Sequence, residues 1–148
     1  RNPELRDELI NWKHYTTICP AAPTEFLARK ALSVRKQLAE RSKTIIQGNL
    51  KLCDDFFARF PDHFTWRSPR AGSVAFVELN LAEIGFDSAT TYCHHLAQNH
   101  GIVLLPGKCL GFDDSFVRFG LGRVSFGTAL DAYTAVVSEE NSMMNGFL

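Results

Sequence analysis

Arg118 lies in the middle of FVRFGLGR, residues 116–123, with Gly120 and Gly122 at the alternate positions beyond it. The run reads as a strand over residues 116–122. Side chains alternate along a strand, so Phe116, Arg118, Gly120 and Gly122 share one face while Val117, Phe119, Leu121 and Arg123 share the other. The second is a core face. The first sets a guanidinium beside two positions without side chains, where another group can approach the backbone. A guanidinium is a planar fork that stays charged and grips a carboxylate through two parallel hydrogen bonds. Arg118 is therefore a candidate for binding an α-carboxylate. The same spacing also suits an arginine paired with an internal Asp or Glu, or one lying on a solvated sheet edge.

The preceding loop offers a second set of candidates. Pro106-Gly107 fixes a turn and Gly111 permits another, so the segment can pass close to a ligand. Lys108 and Cys109 lie inside it, but nothing in the sequence supplies a neighbour that would activate either. A nucleophilic pair of Cys109 with a histidine stays open, because sequence does not show which residues meet. Asp113-Asp114 reads as a solvated turn. Cys93, His94, His95 and His100 are metal-ligand types, yet adjacent helical residues point about 100° apart and tetrahedral ligands must converge. No metal is expected from them.

These residues need elements to hold them. Asn2 and Pro3 start a helix with an apolar stripe of Leu5, Leu9 and Trp12, and HYTTICPAAP, with Pro20 and Pro23, reads as an extended linker. From Thr24 to Phe60 the apolar residues recur at helical spacing, a run of about 55 Å if unbroken. Such a helix bridges two domains or bends near Gly48; Arg41 and Gly48 or Asn49 interrupt any coiled-coil seam. Next come a strand over 74–80, a helix capped by Asp87 and ended by Gly101, a strand over 102–105 buried on both faces, the strand of Arg118, and a helix over 128–139. NSMMNGFL has weak periodicity and is expected to fray. The fold class is α/β, a small-domain sandwich in which a short sheet is covered by helices, with a long helix on its N-terminal side.

The 16 basic and 16 acidic residues give a formal charge of +0, so there is no basic footprint for nucleic acid or an anionic membrane. No apolar run approaches the ~18 residues of a membrane span. Cys19, Cys53, Cys93 and Cys109 are scattered without a C-x-x-C pair, which reads as reduced thiols in a cytoplasmic protein. The chain opens on RNPELRDEL with no initiating methionine and is read as the continuation of a longer protein.

WRSPRAGSVAFVEL and YCHHLAQNHGIVLLPGKCLGFDDSFVRFGLGR, with the helix that follows, resemble the C-terminal region of class I/II aminotransferases, pyridoxal-phosphate enzymes of fold type I. The spacing holds across residues 66–123, and residues 1–60 fit the family's chain order. The resemblance implies a large-domain tail and crossing segment over 1–23, an interdomain helix over 24–60 and the small domain over 61–148. It assigns substrate α-carboxylate binding to Arg118 and a loop beside it to Pro106, Gly107 and Gly111. Tyr15, Thr16 and Thr17 correspond to a segment near the neighbouring subunit's site, and the family implies a homodimer acting on amino acids and 2-oxo acids.

The family's Schiff-base lysine, phosphate cup and pyridine-nitrogen acid lie on its large domain. None of Lys13, Lys30, Lys36, Lys43, Lys51 and Lys108 occupies the lysine's position, so this segment alone is expected to be inactive. A lyase, synthase or cyclase of the same fold type, or a non-catalytic binding domain, shares these features.

Overall fold

The computed structural model describes residues 2–17 and 19–145. The chain folds as two compact units, Arg1–Glu40 and Arg41–Leu148.

In the first unit, α1 (Pro3–Thr16) begins as its sequence dictates. The Asn2 side chain accepts from the amides of Glu4 and Leu5, and Pro3 occupies the first turn, where no backbone donor is needed. The helix runs further than the sequence suggests. Tyr15 and Thr16 belong to it, Thr17 is its C-cap, and Thr16 Oγ1 donates to the Trp12 carbonyl, so the expected extended linker shrinks. Ile18, part of that expectation, lies outside the described residues. Pro23 falls in the first turn of α2 (Ala22–Ser33) and starts a helix instead of prolonging the linker. The long helical run breaks at Val34, before α3 (Arg35–Arg59), and Gly48 sits inside that helix.

The second unit carries the sheet, formed by β1 (Phe64–Thr65), β2 (Val74–Leu79), β3 (Leu105–Pro106) and β4 (Phe116–Gly120). The strand order is β1-β2-β4-β3 and every pairing is antiparallel. Ala75, Val77 and Leu79 alternate inward on β2, as do Val117 and Phe119 on β4. They meet Cys53, Phe56 and Phe57 of α3, Tyr92 and Leu96 of α5 (Ala89–His100), and Leu130, Tyr133 and Val137 of α6 (Phe126–Asn145). Each large apolar side chain so enclosed contributes about 1.5–3 kcal/mol. Phe57 sets its ring edge on Phe119, and the Tyr92 and Tyr133 hydroxyls lie 3.0 Å apart in the core. The short sheet covered by helices is the α/β sandwich that the sequence implies.

Several local expectations change. Only Leu105 and Pro106 of the 102–105 run and its end are strand, and Val103 is 84% exposed, so the run is not buried on both faces. A four-residue helix, α4 (Leu81–Ile84), follows β2. Ser88, not Asp87, caps α5: its hydroxyl accepts from the Thr91 amide while Thr91 Oγ1 accepts from the Ser88 amide. Gly101 ends α5 in the left-handed region at φ 67°, where a side chain would be strained. The last helix starts at Phe126 and continues to Asn145, so Asn141 to Asn145 are helical; residues 146–148 lie outside the described residues.

Candidate carboxylate-binding site

β4 is an inner strand, so Arg118 does not sit at a sheet edge. It lies opposite Phe76 of β2 and Leu105 of β3. Cross-strand partners share a face, which sets Arg118, Phe76, Phe116 and Glu78 together on the face away from the buried side chains. Arg118 is exposed, and among the described residues no carboxylate is ion-paired to it. Of the alternatives left open by the sequence, the internal ion pair and the sheet edge both fail for the described residues. What remains is an unneutralised guanidinium on a sheet face.

The glycines beyond it have no packing reason for being glycine. A Cβ built on Gly120 meets nothing within 4 Å, and one on Gly122 meets only Ser73 Cβ at 3.9 Å. Space beside Arg118 is therefore open at the backbone. Arg123 lies past the end of β4 and is exposed, so it does not continue the core face as the alternation implied.

The loop is built with less freedom. Pro106 and Gly107 are buried, and a 3-10 turn over Gly107–Leu110 ends at Gly111 in the left-handed region, φ 71°. A Cβ on Gly107 would stand 2.5 Å from the Asp113 carbonyl oxygen and 3.3 Å from Phe116 Cβ, so only glycine lets the loop fold back on the start of β4. The two aspartates do more than form a solvated turn. Asp113 Oδ1 accepts from the Ser115 amide at 2.8 Å and its hydroxyl at 2.6 Å, bonds that hold the carboxyl below the ordinary range. Asp114 Oδ1 accepts from Thr90 N at 3.0 Å and Thr90 Oγ1 at 2.7 Å, fastening the loop to the first turn of α5. Phe112, at the loop's tip, brings its ring to 5.4 Å from Phe76 and 5.0 Å from Phe116, so the apolar rim on the Arg118 face comes from three segments.

Asn49 is a positioning residue that sequence reasoning passed over as a break in a seam. It is buried on α3, and its amide donates to the carbonyls of Leu121 at 2.9 Å and Arg123 at 2.8 Å, pinning the chain just beyond β4. A polar residue in the stripe Ile45, Asn49, Leu52, Phe56 was the available signal.

Tyr15, Thr16 and Thr17 belong to the first unit. Tyr15 is 91% exposed and lines a shallow cavity with Glu8, Asn11 and Trp12.

The described residues do not form a cradle for pyridoxal phosphate. Lys13, Lys30, Lys36, Lys43, Lys51 and Lys108 are all exposed, and Lys108 lies 3.7 Å from Asp114 as a surface pair. An amine anchor activated by burial needs to be desolvated, which none of these exposed lysines is. Burial pushes the Cys93 thiol up to about 11, which disfavours its thiolate, and Cys109 is exposed. Among the metal-ligand residue types, Cys93 is buried and His94 is exposed, while His95 and His100 converge on Glu140 of α6.

No protein-family model matches this sequence, and no curated protein matches it. Solved structures do. A PLP-dependent aminotransferase from Streptococcus suis is 25% identical, with a TM-score of 0.77, over 94% of this chain and 35% of its own. The PLP-dependent cyclase OrfR is 21% identical, TM-score 0.78, over 92% of this chain and 37% of its own. An aromatic aminotransferase from Pyrococcus horikoshii is 16% identical, TM-score 0.70, over 90% and 36%. The chain thus has the fold of a region of fold-type-I PLP-dependent enzymes and spans about a third of their length. Among the described residues no helix is long and apolar enough to cross a membrane.

Proposed function

We propose, from this shared fold, that the chain is the C-terminal part of a pyridoxal-phosphate-dependent aminotransferase and that Arg118 binds the α-carboxylate of its amino-acid and 2-oxo-acid substrates. The observation that carries the assignment is Arg118 itself, exposed on an inner strand without an ion-pair partner among the described residues and beside Gly120, where a Cβ would meet nothing within 4 Å. A bidentate grip on the carboxylate orients the rest of the substrate, and small displacements of such a grip lower rate steeply. In such enzymes the cofactor supplies the electron sink. Its anchor is not among the residues described, so the contribution of this chain is binding and orientation, and alone it is inactive.

In this reading residues 1–23 close the large domain and cross from it, 24–60 form the interdomain helix, interrupted at Val34, and 61–148 are the small domain. Pro106, Gly107 and Gly111 shape the wall beside Arg118. Tyr15, Thr16 and Thr17 face the site of a neighbouring subunit in a homodimer, and the exposed Tyr15 suits that contact. The four free thiols fit a cytoplasmic setting.

A cyclase reading stands beside this one, because OrfR matches as well as the aminotransferases do. The absorption spectrum of the intact gene product with pyridoxal phosphate separates them. A lasting change on adding an amino acid, reversed by a 2-oxo acid, supports transamination. A spectrum that returns to its start while the amino acid is consumed supports the cyclase, and no cofactor uptake overturns both.

A further inference from the structure

We infer that His95, His100 and Glu140 form a binding site for one divalent transition-metal ion of the Zn2+ class. His95 Nε2 lies 3.0 Å from Glu140 Oε1, and His100 Nε2 lies 4.0 Å from the same oxygen. The three potential ligand atoms all fall within 4.8 Å of one another. Tetrahedral Zn2+ with bonds of about 2.0–2.2 Å sets its donors roughly 3.3–3.5 Å apart, so modest side-chain rotations bring this set around one ion. Two imidazoles and a carboxylate are a donor set suited to Zn2+ and its neighbours, and they leave a fourth position for water.

The backbone holds the ligands in place. His100 closes α5, where Gly101 turns left-handed and the amides of Gly101 and Ile102 both return to the Leu96 carbonyl. α6 is tied to α5 by the Tyr92–Tyr133 hydroxyl pair. Side-chain exposures of 33% for His95, 27% for His100 and 22% for Glu140 describe ligands partly withdrawn from water with a path left open to it.

Asn99 acts on the ligand atom through His95. Its Nδ2 lies 2.9 Å from His95 Nδ1, an arrangement in which Nδ1 accepts and the ring proton sits on Nε2, directed at Glu140. A metal at Nε2 needs that proton moved to Nδ1. Asn99 then turns its amide so that Oδ1 accepts, fixing the ring in the metal-binding tautomer.

The site is independent of substrate binding, since α5 and α6 pack against the buried face of the sheet and Arg118 lies on the other. The test is titration of the intact gene product with Zn2+ by competition against a chelator, repeated with Co2+ as a spectroscopic probe. The wild type is expected to bind one equivalent more than His100→Ala or Glu140→Gln, and Co2+ at that equivalent is expected to show d–d bands without thiolate charge transfer. The equivalent persists in the Cys19→Ser/Cys109→Ser background. Asn99→Ala weakens it about 10–100-fold, and Asn99→Asp restores or exceeds the wild-type affinity. Circular dichroism checks that each variant is folded. Equal stoichiometry in wild type, His100→Ala and Glu140→Gln overturns the site, as does an equivalent that vanishes with the two cysteines.

Discussion

The side-chain amide of Asn49 donates to the main-chain carbonyl of Leu121 across 72 residues of sequence, and to Arg123 just beyond it. The helix thereby holds the end of the strand on which Arg118 stands. Replacing Asn49 with Leu fills the space but takes the side-chain donor from the Leu121 carbonyl and leaves the Arg123 carbonyl with the Phe126 amide alone, an expected loss of about 1–3 kcal/mol in denaturant unfolding. Asn49→Asp is expected to be worse near neutrality, because an ionised acceptor would face acceptors. Its folded form would hold a proton more tightly than the unfolded chain, so the stability of this variant should rise as pH falls.

Arg118 and Gly120 separate binding from folding. Arg118 is exposed and makes no ion pair among the described residues, so Arg118→Lys should change stability by no more than about 0.5 kcal/mol. A point charge replaces a fork poorly, and KM of the intact enzyme for amino acids should rise about 10–100-fold, corresponding to a charge-assisted bond of roughly 1.5–3 kcal/mol. Gly120→Val should be neutral or stabilising, since its Cβ meets nothing and a β-branched residue suits a strand. The same variant should raise KM by crowding the open face. Unchanged KM in both variants would remove the carboxylate assignment.

Gly107→Ala addresses the loop. Its new methyl group would press on a backbone oxygen, Asp113 O, which cannot swing aside as a flexible side chain would. A destabilisation of about 1–3 kcal/mol is expected, with faster proteolysis within residues 107–115 than elsewhere. Gly120→Ala is the matched control and should show neither effect.

Thiol reactivity should split in two. Cys19 and Cys109 are exposed, while burial pushes Cys53 up to about 12 and Cys93 up to about 11. Alkylation of the native chain at pH 8 should modify Cys19 and Cys109 and spare the other two until denaturant is added. Because Cys53 and Cys93 hold their protons more tightly folded than unfolded, their contribution to stability is complete below the unfolded thiol range. It declines as pH rises from there through about 11–12.

The sequence carried the Arg118 face because strand alternation is local: residues 116–120 alone determine which side chains point together. The same logic misread residues 102–105, where an unbroken apolar run stands for a segment that covers the core with Ile102 and Leu104 and exposes Val103. The stripe on α3 marks Asn49 as unusual, but what Asn49 and Glu140 bond to was beyond reach for another reason. Their partners lie 72 and 45 residues away, and only the packing of α3 and α6 against the sheet and α5 brings them together. Pro23 was read as a linker residue because proline permits both an extended chain and a helix's first turn, and only the residues after it decide.

The distant bonds of Asn49 also have a temporal side. On the ribosome α3 is complete long before Arg123 has been made, so its Phe56 and Phe57, with Phe60 just past its end, wait without the strands that enclose them. β2 is equally early, yet its partner β4 follows only after α5. Closing such a loop is an entropic debt settled late, and the nascent chain exposes its stickiest surface until then. The arginine face is therefore among the last features to form, and a chain interrupted before β4 would present an unsheltered helix to whatever protein-folding assistance the cell provides.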